Sequence, residues 1–258
     1  MKIKLENLLR ICFFAAVLLV GLALFIPIPV KITEILLWIE LTSTISILIY
    51  SFMKNRLLLP DFLFCLCFLS LVVNGALTKS SVICWENGNQ SSLIRSISEC
   101  IGNQYFIISF LITCISLFAQ IFITIKGTGR TSETAAKFVL DTMNSKMLET
   151  ELNCTYGYIT EEDKNKMQSK LKKEITFYSS MDVASKLLTF CAFTNILLFL
   201  INLIGGISVQ TFIKGIPFLS AVRNGISVTS VNMFIFTIPM IIVELASDLA
   251  VCNMKQDD

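Results

Sequence analysis

An all-α, polytopic transmembrane protein is the fold class this sequence predicts, and three observations predict it. Six stretches of about 20 apolar residues, the length that crosses a bilayer as helix, run along the chain. The 258 residues are 54% hydrophobic and only 16% charged, against about 25% charged in soluble domains, and mean hydropathy is +0.73. Lys and Arg crowd alternate connections between the stretches, as the positive-inside rule requires of a multi-pass chain.

The expected spans are Leu9–Ile26, Thr33–Met53, Leu58–Thr78, Tyr105–Ile125, Leu188–Ile213 and Val231–Val251. The first does not read as a cleaved leader. It ends in Pro27-Ile28-Pro29 rather than at a small-residue cleavage site, and another span follows at once. Residues 86–104 and 207–230 leave room for short membrane-dipping pieces, which would raise the count from six to eight. Lys2, Lys4 and Arg10 precede the first span, Lys54 and Arg56 follow the second, and residues 126–186 hold ten Lys or Arg. The intervening connections hold only Lys31, then Lys79 and Arg95, then Lys214 and Arg223. Both termini and residues 126–186 are therefore expected in the cytoplasm. The chain divides into N-terminal membrane helices (1–125), a cytoplasmic loop subdomain (126–186) and C-terminal membrane helices (187–258).

The loop's ten cations face nine acids, which makes a mixed polar surface and not a basic lipid-binding tract. It begins at Lys126-Gly127. A short amphipathic helix is expected over 131–143, with Ala135, Phe138, Val139 and Met143 on one side. A second is expected to start at Thr160, a capping residue with Asp163 three positions on and Glu161 and Glu162 in the first turn. Lys170, Lys172 and Lys173 suit its far end.

Several functions are excluded by what is missing. A net charge of +2, without a basic face, gives no case for nucleic acid. There is no His, hence no common general base or neutral metal ligand. Of nine Cys, Cys65 and Cys67 are not at zinc spacing, and Cys12, Cys114, Cys191 and Cys252 read as small apolar groups. Only Cys84 and Cys100, in a polar loop, leave a disulfide open. No metal, cofactor or enzymatic site is expected.

Polar groups at membrane depth carry the remaining information, since they are costly there. Glu40 has two readings, a proton or ion relay or a group paired with another helix. Glu244 and Asp248, one turn apart, read better as paired or snorkelling groups near the cytoplasmic face. Asn74, Asn195 and Asn202 read as hydrogen-bonding glue between helices.

A family resemblance enters in the loop. The run Lys126-Gly-Thr-Gly-Arg130-Thr-Ser-Glu133-Thr-Ala-Ala-Lys-Phe138-Val-Leu-Asp141 resembles the signature of the FHIPEP family, the large export-gate membrane subunit of flagellar and type III secretion systems. The likeness continues through Met143, Lys146, Glu151 and Gly157-Tyr-Ile159. It resumes from Phe177 through Met181, Asp182, Ala184, Ser185 and Lys186 into Asn202-Leu-Ile-Gly205-Gly206. Departures are also present. Ser70, Cys191 and Asn224 stand where the family carries charges, and Asn144-Ser145 replaces a Pro-Gly.

The resemblance implies a non-enzymatic component of a protein export apparatus in the bacterial inner membrane. It implies a homo-oligomeric ring in the lipid bilayer, contacts with other export-apparatus membrane subunits, and coupling of export to proton entry. Asp182 and Glu40 are then the candidate coupling carboxylates, and Arg130, Glu133, Asp141, Lys146 and Lys186 candidate loop or subunit contacts. The sequence ends at Asp258, close behind the last expected span, so the family's large cytoplasmic domain is expected to be absent and the chain not to replace a full-length member alone. A truncated, non-transporting remnant or assembly factor is the alternative. A small-molecule transporter ranks last, because no matched pair of interrupted spans is present.

Overall fold

The computed structural model describes residues 29–53, 57–87 and 106–253. The expected span Leu9–Ile26, the cations of the N-terminus and of the connection after the second span, and Cys100 of the Cys84–Cys100 pair fall outside what is described.

Six α-helices make up the described chain: α1 (Val30–Ser51), α2 (Leu59–Asn87), α3 (Phe106–Phe122), α4 (Gly129–Thr155), α5 (Glu161–Ser208) and α6 (Phe218–Asn253). Among the described residues there is no strand. Two π-helical turns are inserted, Ile123–Thr128 between α3 and α4 and Val209–Ile213 after α5. Five helical rods are long and apolar enough to cross a membrane, α3 and α4 counting as one rod through the first π-helical turn.

Besides α2, which runs on past Thr78 to Asn87, three boundaries differ from the expected ones. The fourth span does not stop at Ile125. The Gly127-Thr-Gly129 sequence keeps helical geometry, Gly129 lying at φ −62°, so the helix runs on to Thr155 and the short helix expected over 131–143 is its middle. Thr160 caps α5 as expected, its hydroxyl accepting from the Asp163 amide, but the Lys-rich stretch does not end the helix. No Pro or Gly occurs between Glu161 and Ile204, and α5 continues unbroken for 48 residues. The last helix begins at Phe218 instead of near Val231. Its first turns carry Ser227, Thr229 and Ser230, which lower hydropathy without breaking a helix, and all three are buried.

Polarity in the bundle is inside out. On α1 the buried positions are Thr33, Leu37, Glu40, Thr44, Ile47 and Ser51, while Ile32, Ile35, Trp38, Ile39, Ile45 and Ile49 are exposed. On α3 and its π-helical extension, Ser109, Thr113, Leu117, Gln120, Thr124 and Thr128 are buried and Ile108, Leu111, Ile115, Phe118 and Phe122 exposed. Both stripes recur every three or four residues, one helical face. The exposed apolar faces suit hydrocarbon, and the polar faces converge on α6, which touches every other described helix. Pro239 lies within α6 and is buried. Neighbouring helices make such a residue tolerable in a membrane.

Where α4 and α5 leave the bundle they form an antiparallel hairpin with an apolar base. Ala135, Ala136 and Val139 of α4 and Phe177, Tyr178, Met181, Ala184 and Leu188 of α5 share one cluster with Leu59 and Leu63 of α2 and Val243, Ala246 and Ala250 of α6. The divisions expected at 125/126 and 186/187 both fall inside continuous helices.

Candidate functional site

Close approach of α4 and α5 is permitted by small residues. Ser132, Ala135 and Ala136 are buried on one helix, Ala184 and Ser185 on the other. On the outer flank of this crossing Lys137 bonds Glu133 at 2.6 Å, and Lys186 bonds Asp182 at 2.7 Å. The pairs feel each other: Glu133 lies in the field of Lys186, and Lys137 in those of Asp182 and Asp141. These groups are on the polar hairpin. There the hydrogen bond and charge of Lys137 hold Glu133 below the usual carboxylate range, and those of Asp182 raise Lys186. Four expected contact or coupling residues (Glu133, Asp141, Asp182 and Lys186) are thus brought together. Lys137 joins them without having been anticipated, although its spacing of four from Glu133 was visible. Arg130 is exposed and stands apart. Lys146 lies farther along, lining a groove of about 320 Å³ with Phe138, Thr142, Leu171, Glu174 and Tyr178.

Inside the bundle the polar side chains link helices. Asn74 Nδ2 donates to Asn195 Oδ1 at 2.8 Å, tying α2 to α5. Asn232 Nδ2 donates to Ser81 Oγ at 2.7 Å, tying α6 to α2. Asn202 is fully buried, and neither its nitrogen nor its oxygen has a protein partner. Glu40 is 2% exposed. The Ser70 hydroxyl of α2 approaches it, yet neither carboxylate oxygen completes a hydrogen bond.

A third polar group sits at the cytoplasmic end expected for the bundle. Glu244 is 0% exposed and so does not snorkel. Its Oε1 accepts from the Thr124 hydroxyl of the first π-helical turn. Thr128 Oγ1 lies 3.4 Å from Asp248 Oδ2 and 3.5 Å from the Glu244 carbonyl oxygen. The two carboxylates stand out in the sequence, and Gln120 echoes the family pattern, whereas Thr124 and Thr128 draw no notice there. Their spacing of four from Gln120, within an apolar helix, is the signal that could have found them.

Two other positions that depart from the family pattern, Cys191 and Asn224, make neutral contacts in this fold. The Cys191 thiol is buried and donates toward the Cys67 carbonyl at 3.8 Å. Arg223-Asn224-Gly225 is helical, and Asn224 Nδ2 donates to Gln210 Oε1 at 3.4 Å across the α5–α6 turn. A Cβ on Gly225 would stand 3.1 Å from Ile207 Cγ1, so the glycine there serves helix contact.

Long apolar rods, an inward polar stripe and a polar-flanked hairpin define the class: a multi-helix membrane protein whose spans are joined by buried hydrogen bonds. The sequence pattern of the FHIPEP family matches residues 20–258, and the chain belongs to that family. It is 28% identical to the flagellar biosynthesis protein FlhA of Borreliella burgdorferi, over 88% of this chain and 33% of that one. It is 27% identical to FlhA of Salmonella typhimurium, over 93% and 36%, and 25% identical to FlhA of Bacillus subtilis, over 94% and 36%. The chain thus spans about a third of the length of these relatives. No solved structure matches it.

Proposed function

We propose that this chain is a membrane component of a bacterial protein-export gate of the flagellar and type III kind. The observation that carries the reading is the family match from residue 20 to residue 258, which runs through both the polar-cored bundle and the hairpin. The relatives' name, flagellar biosynthesis protein, supplies the process. In this reading the chain sits in the inner membrane with its N-terminus and hairpin in the cytoplasm, and copies assemble as a ring with other export-apparatus membrane subunits. The exposed charges Arg130, Glu133, Asp141, Lys146 and Lys186 are the contact residues of that assembly. No catalytic residue is assigned.

Export is coupled to proton entry through buried carboxylates in this proposal. Glu40 is supported by its burial between α1 and α2 with both oxygens free of protein hydrogen bonds. Asp182 is supported by its place at the α4–α5 crossing, where losing its charge would release Lys186. The alternative, a member that assists assembly without transporting, is favoured by the neutral Ser70, Cys191 and Asn224.

Complementation tests the two. A strain lacking its own export-gate subunit receives this chain with, as a separate polypeptide, the remaining cytoplasmic region of a relative. Restored secretion is the expected result. Protein present in the membrane without secretion would overturn the transporting reading. In the restored strain, Glu40→Gln and Asp182→Asn are expected to lower secretion more than Glu162→Gln, a change in an exposed pair on the first turn of α5.

A further inference from the structure

Two thiols meet where α2 packs on α5. Cys67 and Cys191 are 0% and 1% exposed, and both belong to the apolar cluster that holds Leu63, Leu66 and Leu188. The Cys191 thiol lies 3.8 Å from the Cys67 carbonyl oxygen, and the two thiols lie within hydrogen-bonding reach of each other. Both are free cysteines. Among the other described cysteines, Cys65 and Cys252 are exposed, and Cys114 and Cys154 are half-buried.

Two features prepare this pair to react with each other. Both sulfurs stand on unbroken helix, and the Asn74–Asn195 hydrogen bond at 2.8 Å fixes the same α2–α5 seam farther along. The inward face of α2 is also polar beyond Cys67. Ser70, Asn74, Thr78 and Ser81 follow it at intervals of three or four, and all are buried. That stripe gives a small, uncharged, hydrogen-bonding molecule a polar lining as far as the thiols, while burial keeps charged reagents out.

We propose that Cys67 and Cys191 form a redox modification site, which hydrogen peroxide converts into a reversible disulfide bolting α2 to α5. One sulfur attacks the peroxide. An S–O bond forms, the O–O bond breaks, and the thiol proton leaves with the departing hydroxide as water. The second sulfur then displaces the new hydroxyl. The S–S bond forms, the S–O bond breaks, and the second thiol proton leaves in a second water. Together the sulfurs lose two electrons, and one peroxide becomes two waters. The facing thiol is the neighbour that captures the sulfenic acid, so the reaction stops at the disulfide rather than at sulfinic acid. The bond joins residues 124 apart in sequence, a long loop of the kind whose closure most restrains an unfolded chain. Cys191 stands where the family carries a charge, so the family pattern does not require the pair. The site goes beyond the export-gate reading and does not depend on it.

The test uses the full chain in lipid nanodiscs, treated with graded hydrogen peroxide. Remaining thiols are alkylated in denaturant, and the digest is mapped by mass spectrometry. The expected dominant cross-link joins the Cys67 and Cys191 peptides and disappears with dithiothreitol. The thermal midpoint of the oxidised chain should rise by about 5 °C or more and return on reduction. Cys67→Ser and Cys191→Ser should each lose both the cross-link and the shift. Cys65→Ser, an exposed neighbour, should keep both. Recovery of Cys67 and Cys191 as separately alkylated peptides, at a dose that oxidises Cys65 and Cys252, would overturn the proposal. So would linkage of either thiol mainly to another cysteine, its conversion to sulfinic acid, or an oxidised midpoint equal to the reduced one. The peptide map of the unmodified chain decides the matter if a serine variant fails to fold.

Discussion

Along α3 and its π-helical extension the buried stripe reads Ser109, Thr113, Leu117, Gln120, Thr124 and Thr128. Along α4, which continues the same rod, it reads Ser132, Ala135, Ala136 and Val139. The outer face changes in the opposite sense, from Ile115, Phe118 and Phe122 to Glu133, Lys137 and Asp141. The second long rod, α5, makes the same exchange in reverse order. Phe177, Tyr178, Met181 and Leu188 are buried in the hairpin half and Asn195 and Asn202 in the bundle half, while Phe193, Leu197 and Ile204 face outward there. A π-helical turn marks the exchange in the first rod, but α5 makes the same exchange within unbroken α-helix, so backbone geometry does not cause the change. The surroundings do. In water, apolar side chains gain by hiding. In hydrocarbon they gain nothing by it, and helices are held by packing and interhelical hydrogen bonds instead.

The comparison can be broken most severely at the hairpin base. Ala184→Asp would bury an unpaired charge against Ala135 and Met181, at a cost of about 3 kcal/mol or more. It should abolish the monodisperse species in detergent chromatography, whereas Val183→Asp, one residue away and 50% exposed, should leave it intact. Next comes a contrast along α5. Met181→Ala, at a fully buried site, should cost about 2–5 kcal/mol. Phe190→Ala, on the lipid-facing side, should cost less than about 1 kcal/mol. Thermal midpoints in the same detergent read both.

Smaller effects sharpen the picture. A double-mutant cycle with Asn74→Leu and Asn195→Leu should give a coupling of about 0.6–2 kcal/mol. A coupling near zero would mean that this hydrogen bond does not hold α2 to α5. Thr160→Ala removes the α5 cap and should cost about 1 kcal/mol locally. Faster hydrogen exchange confined to the first turn after Thr160, with the bundle unaffected, is the expected record.

Much of this was legible before the fold. Apolar runs located the described spans because hydrocarbon-facing residues dominate their hydropathy. The cap at Thr160 was legible because it is local chemistry. What escaped did so for physical reasons. The first turns of α6 carry inward Ser and Thr, which make a buried helix look like a loop on a hydropathy scale. Gly127 and Gly129 resemble a break, yet among the described glycines only Gly157 and Gly215 adopt positive φ. The partner of Glu244 lies 120 residues away, so nearness to the helix end left pairing and snorkelling both open where the fold supplies Thr124.

The unbroken run of α5 from the hairpin into the bundle has a mechanical consequence. At 1.5 Å per residue its 48 residues form a rod about 72 Å long, more than twice the roughly 30 Å thickness of a bilayer core. With no Pro, no Gly before the final turn and no change of hydrogen-bond register at the membrane surface, such a rod transmits tilt better than it absorbs it. Held at its Gly206 end, it would carry the tip beside Thr160 sideways by roughly 1 Å per degree. The hairpin tip and the buried Asn195 and Asn202 are therefore two ends of one lever, and torque applied to either arrives at the other.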